Sequence, residues 1–131
     1  PACCAAALAN IKAMHDENII ERIQNDIAPY LQKRWRELAD HPIVGEVRGI
    51  GMIGALELVA DKNSRARFSD EVNAGLICRN NCVKNGLIMR SCGETMVISP
   101  PFIITHEQVD ELIAKARQSL DDTLADIKNS Q

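Results

Sequence analysis

The run from Ile43 to Val59 constrains this chain more than any other stretch. Ile43-Val44-Gly45-Glu46-Val47-Arg48-Gly49-Ile50-Gly51 reads as a strand entering a glycine-bearing turn, and Met52-Ile53-Gly54-Ala55-Leu56-Glu57-Leu58-Val59 reads as a second strand. So short a link cannot make a parallel crossover, so the two must pair antiparallel. A second pair follows the same logic. Leu87-Ile88-Met89-Arg90-Ser91-Cys92 is a short strand, Gly93-Glu94 turns the chain, and Thr95-Met96-Val97-Ile98-Ser99 is its antiparallel partner, ended by Pro100-Pro101.

Helical patterns flank these pairs. Residues 2–14 are alanine-rich and helix-favouring, with Cys4, Leu8 and Ile11 at helical spacing. Asp16 is expected to cap a second stretch whose apolar stripe is Ile19, Ile23, Ile27, Tyr30 or Leu31, Trp35 and Leu38, with a kink or short break at Pro29. Ser69 or Asp70 is expected to cap another helix carrying Val72, Leu76, Ile77 and Val83 on one face, closed by Asn85-Gly86 with Gly in the C′ role. Thr105-His106-Glu107-Gln108 is a capping-box pattern opening a last helix with Val109, Leu112, Ile113, Ala116, Leu120 and Leu124 inward. Its tail is expected to fray from about Asp126. The order helix, two strands, helix, two strands, helix predicts an α+β layer: an antiparallel sheet of about four strands with helices packed on one side. Residues 1–40 read as an N-terminal helical segment and 41–131 as the α+β domain. The alanine surface near the start suits close packing on something outside this small sheet.

Composition excludes several functions. With 131 residues the chain suffices for one domain. Fifteen basic residues against eighteen acidic ones give a net charge of -3, which argues against a nucleic-acid partner. Aromatics make up only 3%, too few for a base-stacking platform. No run approaches the ~20 apolar residues of a membrane span. The five cysteines, two of them adjacent, make a poor disulfide framework, and a cytoplasmic setting with reduced thiols is expected. Cys78 and Cys82 share a helix face, but no histidine is near them in sequence, so buried structural thiols are expected and no metal site.

Few residues carry chemistry. Gly49-Ile50-Gly51-Met52-Ile53-Gly54 has the G-x-G-x-x-G spacing of a dinucleotide site, but that site needs a helix to open within it and here a strand follows, so the glycines read as a tight turn. Arg90 lies in a short apolar strand and needs a carboxylate or phosphate partner, either as an internal ion pair or as a ligand site. Arg48 is marked only by its turn. Ser91 and Ser99 have no histidine in a recognisable arrangement, and none of the lysines lies in a clearly apolar stretch. The residues alone leave two readings: an incomplete contributor to an active site, or a free-standing non-catalytic ligand-sensing or interaction domain.

Val47-Arg48-Gly49-Ile50-Gly51-Met52-Ile53-Gly54-Ala55-Leu56-Glu57-Leu58 resembles the strand pair of class III, pyridoxal-phosphate-dependent aminotransferases. Gly86-Leu87-Ile88-Met89-Arg90-Ser91-Cys92-Gly93-Glu94 and Ser99-Pro100-Pro101-Phe102-Ile103-Ile104-Thr105 are similar to a second motif of that family, with Glu94 where Asp is frequent and Phe102 where Leu is usual. The closest subgroup looks like the amine:pyruvate, or omega, aminotransferases. The resemblance implies the small domain of a fold-type I enzyme that moves an amino group between an amine or amino acid and an oxo acid such as pyruvate. It implies that Arg90 binds the substrate carboxylate and swings aside when there is none, with Ser91 and Cys92 as possible pocket neighbours. It places the catalytic lysine and the pyridoxal 5'-phosphate site upstream, in a large domain, so that no catalytic or cofactor-binding residue is expected here and the chain alone is expected to be inactive. A homodimer is implied for the full-length enzyme. The start at Pro1, with the first methionine at Met14, fits a chain cut from a longer protein.

Overall fold

The computed structural model describes residues 1–129. Helix α1 (Ala2–Asp16) follows from alanine propensity alone, since it buries no residue. Asp16 does not cap the next helix; it ends α1 and pairs with Lys12 one turn back, while Asn18 takes the left-handed conformation that starts α2 (Ile19–Arg22). Pro29 causes no break. A π-helical turn, Ile23–Ile27, precedes it, and Pro29 sits in the first turn of α3 (Ala28–Arg36). The wider turn makes room where the proline ring would otherwise strike the carbonyl four residues earlier. The expected stripe is buried: Ile23, Ile27, Leu31, Trp35 and Leu38 all enter the core, with Ile19 and Tyr30 packed at its margin.

A 3-10 turn, Glu37–Asp40, leads to strands β1 (Val44–Ile50) and β2 (Ile53–Leu58), which pair antiparallel with Arg48 opposite Ala55. Gly51 turns the hairpin at φ 55°. After the loop that follows β2 comes α4 (Ala74–Lys84), then β3 (Arg90–Cys92), β4 (Thr95–Ile98) and α5 (His106–Asn129). The four strands form one antiparallel sheet in the order β1-β2-β4-β3, so β3 is an edge strand. Helices cover one face, on which Leu56, Leu58, Met96 and Ile98 are buried.

Three local details depart from expectation. Helix α4 begins at Ala74 after a left-handed Asn73, not at Ser69 or Asp70. Its buried face is Ala74, Gly75, Cys78, Asn81 and Cys82, while Leu76 and Val83 are exposed. The reason is its partner: Asn81 donates to Asp126 (2.9 Å), and Asn85 donates to Asp122 (2.9 Å) and Ser119 (3.1 Å), so small and polar groups set the α4–α5 seam. Strand β3 is shorter than Leu87–Cys92 because Leu87 is used to close α4. The Leu87 N–H donates to the Cys82 carbonyl (2.8 Å) and the Gly86 N–H to the Val83 carbonyl (3.1 Å), a Schellman end with Gly86 at φ 72°. The last helix does not fray at Asp126, since Ile127 is buried and α5 continues to Asn129; the rest of the expected frayed tail, 130–131, lies outside the described residues. Its capping box is formed, with the Gln108 N–H on Thr105 Oγ1 and the Thr105 N–H on Gln108 Oε1.

Two contacts organise the core. Trp35 is fully buried and its Nε1–H reaches the Ala55 carbonyl at 3.4 Å. A Cβ on Gly54 would come within 2.7 Å of that ring nitrogen. Gly54→Ala is therefore expected to destabilise the fold by about 1–3 kcal/mol in denaturant titrations. His41, 2% exposed, accepts from the Ile43 N–H through Nδ1 (3.4 Å) and meets Asp121 through Nε2 (3.1 Å), which selects the neutral Nε2–H tautomer. Burial holds its pKa below the usual 6.5 despite the opposing pull of Asp121. Because the folded pKa is the lower one, the unfolded chain binds the proton better. The stabilisation is present above pH 6.5 and is lost as pH falls below it. Unfolding midpoints are expected to drop between about pH 7.5 and about pH 5.5, with a shallower slope in His41→Gln.

Candidate functional site

Residues opposite one another in an antiparallel ladder share a face. The strand register runs Arg48–Ala55–Val97–Arg90 across the four strands, with Glu46–Glu57–Thr95–Cys92 as the neighbouring row. Both rows point away from the helices. The open face of the sheet thus carries two arginines in one row, separated by Ala55 and Val97, their backbones about 14 Å apart at the usual strand spacing.

The two arginines differ in what they meet. Arg48 lies 3.2 Å from Glu57 and 3.6 Å from Glu46, and Glu57 also accepts from the Thr95 hydroxyl at 2.7 Å. The Arg90 side chain is exposed and makes no hydrogen bond or ion pair among the described residues. The internal ion pair is therefore formed by Arg48, whereas the guanidinium of Arg90 stands at the rim of the sheet with its donors open to solvent. Two neighbouring cavities mark the other end of the same face. One of about 430 Å³ is lined by Cys92, Glu94, Thr95 and Arg67; one of about 480 Å³ by Arg48, Glu46, Arg65 and Arg67. Neither lining includes Arg90.

Cys92 shares the Arg90 face. Ser91 does not: it pairs with the fully buried Met96, and its hydroxyl donates to the Gly93 carbonyl at 2.9 Å on the α4 side. The glycine run is a hairpin, as its spacing and context predict: Gly51 turns it and Gly54 lies under Trp35. Cys78 and Cys82 are buried, and their mutual hydrogen bond and desolvation push the Cys78 thiol up. Among the described residues no group of three or more metal-ligating side chains gathers, and no helix is long and apolar enough to cross a membrane.

The family model for class-III aminotransferases matches residues 1–120. The chain belongs to the class III aminotransferases. It is 56% identical over 125 residues to a putrescine–pyruvate aminotransferase of Pseudomonas aeruginosa, covering 95% of this chain and 27% of that protein. It is 39% identical over 123 residues to gamma aminobutyrate transaminase 1, mitochondrial, of Solanum lycopersicum, covering 94% and 24%. Among solved structures, the PMP-bound form of an aminotransferase from Vibrio fluvialis superposes with a TM-score of 0.88 at 37% identity, over 95% of this chain and 27% of that one. A transaminase with L-ala gives 0.88 at 35% identity, over 95% and 28%. The chain spans about a quarter of the length of the curated relatives it matches.

Class III aminotransferases work with pyridoxal phosphate, which needs a lysine for its aldehyde and a cradle for its phosphate. The residues here do not supply that set. Lys12 and Lys115 pair with carboxylates, Lys62 and Lys84 bond to local oxygens, and Lys33 and Lys128 are exposed. Among the described residues, none of the four strands contains a lysine. With no side-chain partner to lose, Arg90→Ala is expected to change the unfolding free energy by no more than about 0.5 kcal/mol, measured by denaturant titration. A larger loss would mark Arg90 as structural.

Proposed function

We propose that this chain is the small-domain portion of a longer pyridoxal-phosphate-dependent aminotransferase of the amine:pyruvate type, and that Arg90 receives the carboxylate of the oxo acid or amino acid substrate. One observation supports this above the rest: of the two arginines that share a row of the sheet, Arg48 is matched by carboxylates and Arg90 is not. A guanidinium fork with free donors fits a carboxylate bidentately. The putrescine–pyruvate name of one relative is consistent with a carboxylate-bearing acceptor and a donor that has none. A flexible arginine on an edge strand can serve both, by engaging the first and turning to solvent for the second.

In this reading the cofactor acts as electron sink in the upstream large domain, together with the catalytic lysine. The role of this chain is to orient the acceptor from the opposite side. Cys92, on the same face two residues on, borders the space beside it. The full-length enzyme works as a cytoplasmic homodimer.

Arg90→Ala in the full-length enzyme tests the proposal. A charge-assisted bond contributes about 1.5–3 kcal/mol, so kcat/KM for pyruvate or alanine is expected to fall about 10- to 100-fold. Single-turnover use of a simple monoamine is expected to change much less. Equal losses on both would sink the assignment.

A further inference from the structure

Strand β3 has three residues, lies at the sheet edge and pairs only with β4, through Arg90–Val97, Ser91–Met96 and Cys92–Thr95. So short a ladder leaves the direction of the strand dependent on what holds its turn. That turn is seated on the start of α4. Glu94 Oε2 accepts the Gly75 N–H at 2.6 Å, in the first turn of the helix. Helix α4 has no other cap: Asn73 makes no side-chain cap bond and no acidic residue lies in its first turn. A carboxylate at this position satisfies an otherwise open N–H and complements the helix dipole.

The contact is close on both sides. A Cβ on Gly75 would fall 2.0 Å from the Gly93 carbonyl oxygen and 2.9 Å from Ser91 Oγ, so backbone meets backbone there. The Leu58 N–H donates to the Glu94 carbonyl at 2.9 Å, which ties the same residue to the chain leaving β2. Helix α4 is in turn fixed on α5 through Asn81–Asp126 and Asn85–Asp122. A continuous set of contacts therefore runs from α5 through α4 and Glu94 to the hairpin that carries Arg90.

We propose that Glu94 is a positioning residue for Arg90: by capping α4 from the hairpin turn, it fixes where the guanidinium stands when a carboxylate arrives. This rests on the reading of Arg90 as the carboxylate site. Arg90 is three residues from Gly93, about 10 Å along an extended strand, so a small tilt at the turn becomes a displacement at the guanidinium.

The test uses the full-length aminotransferase with pyruvate as acceptor and a simple monoamine as donor. Glu94→Ala is expected to raise the KM for pyruvate about tenfold, with kcat and single-turnover donor use within about twofold. Glu94→Gln keeps an acceptor of the same shape without the charge, and is expected to raise that KM only about threefold. If Glu94→Ala does not fold, Glu94→Gln and Glu94→Asp carry the test, each with a raised pyruvate KM and unchanged donor use. An unchanged pyruvate KM, or an equal loss on donor and acceptor, overturns the positioning role. The underlying reading fails separately: Arg90→Ala with Glu94 intact would then leave pyruvate use untouched.

Discussion

The rest of the structure depends on the approach of Trp35 to Gly54. A fully buried indole can lie against β2 only where the strand has no Cβ, and its Nε1–H then reaches the neighbouring Ala55 carbonyl. That contact assigns the helices to one face. Leu31 and Leu38 follow Trp35 into the core from the same helical stripe, and Leu56, Met96 and Ile98 meet them from the sheet. Once this face is filled, strand alternation leaves Arg48, Glu57, Thr95 and Arg90 on the other. The face that carries the arginine row is thus decided by packing on the face that does not.

Charge on the open face is divided unequally. Glu46 and Glu57 both lie within ion-pair distance of Arg48, and Thr95 holds Glu57 in place. These pairs are partly exposed and contribute little to stability. Arg90, three strands from Arg48, takes no part in these pairs.

Much of this fold is legible in the sequence because its signals are local. The two hairpins follow from short glycine-bearing links, the α5 start from Thr105 and Gln108, and the α4 end from Asn85-Gly86. The first helical stripe follows from its period. The misread elements are those settled by distant partners. Helix α4 turns Cys78, Asn81 and Cys82 inward, not Leu76 and Val83, because α5 presents Ser119, Thr123, Asp122 and Asp126 to it. Pro29 leaves the helix unbroken because the turn before it widens. Arg90 stands out as a cation in an apolar strand, and the family resemblance implies a role for it. That it shares a row with Arg48, and that Ser91 faces the other way, required the strand register. Glu94 carried no local mark, since its partner, the Gly75 N–H, lies nineteen residues earlier in sequence.

Strand β3 has one more consequence. Its outer edge carries backbone donors and acceptors that no other strand of the sheet takes up. Such an edge is a template on which foreign strands can grow. With only three residues, and with a cation at its first position, this edge offers too short a ladder for another chain to extend. The brevity of β3 thus limits what the edge can pair with, and the same three residues set where the Arg90 side chain leaves the sheet.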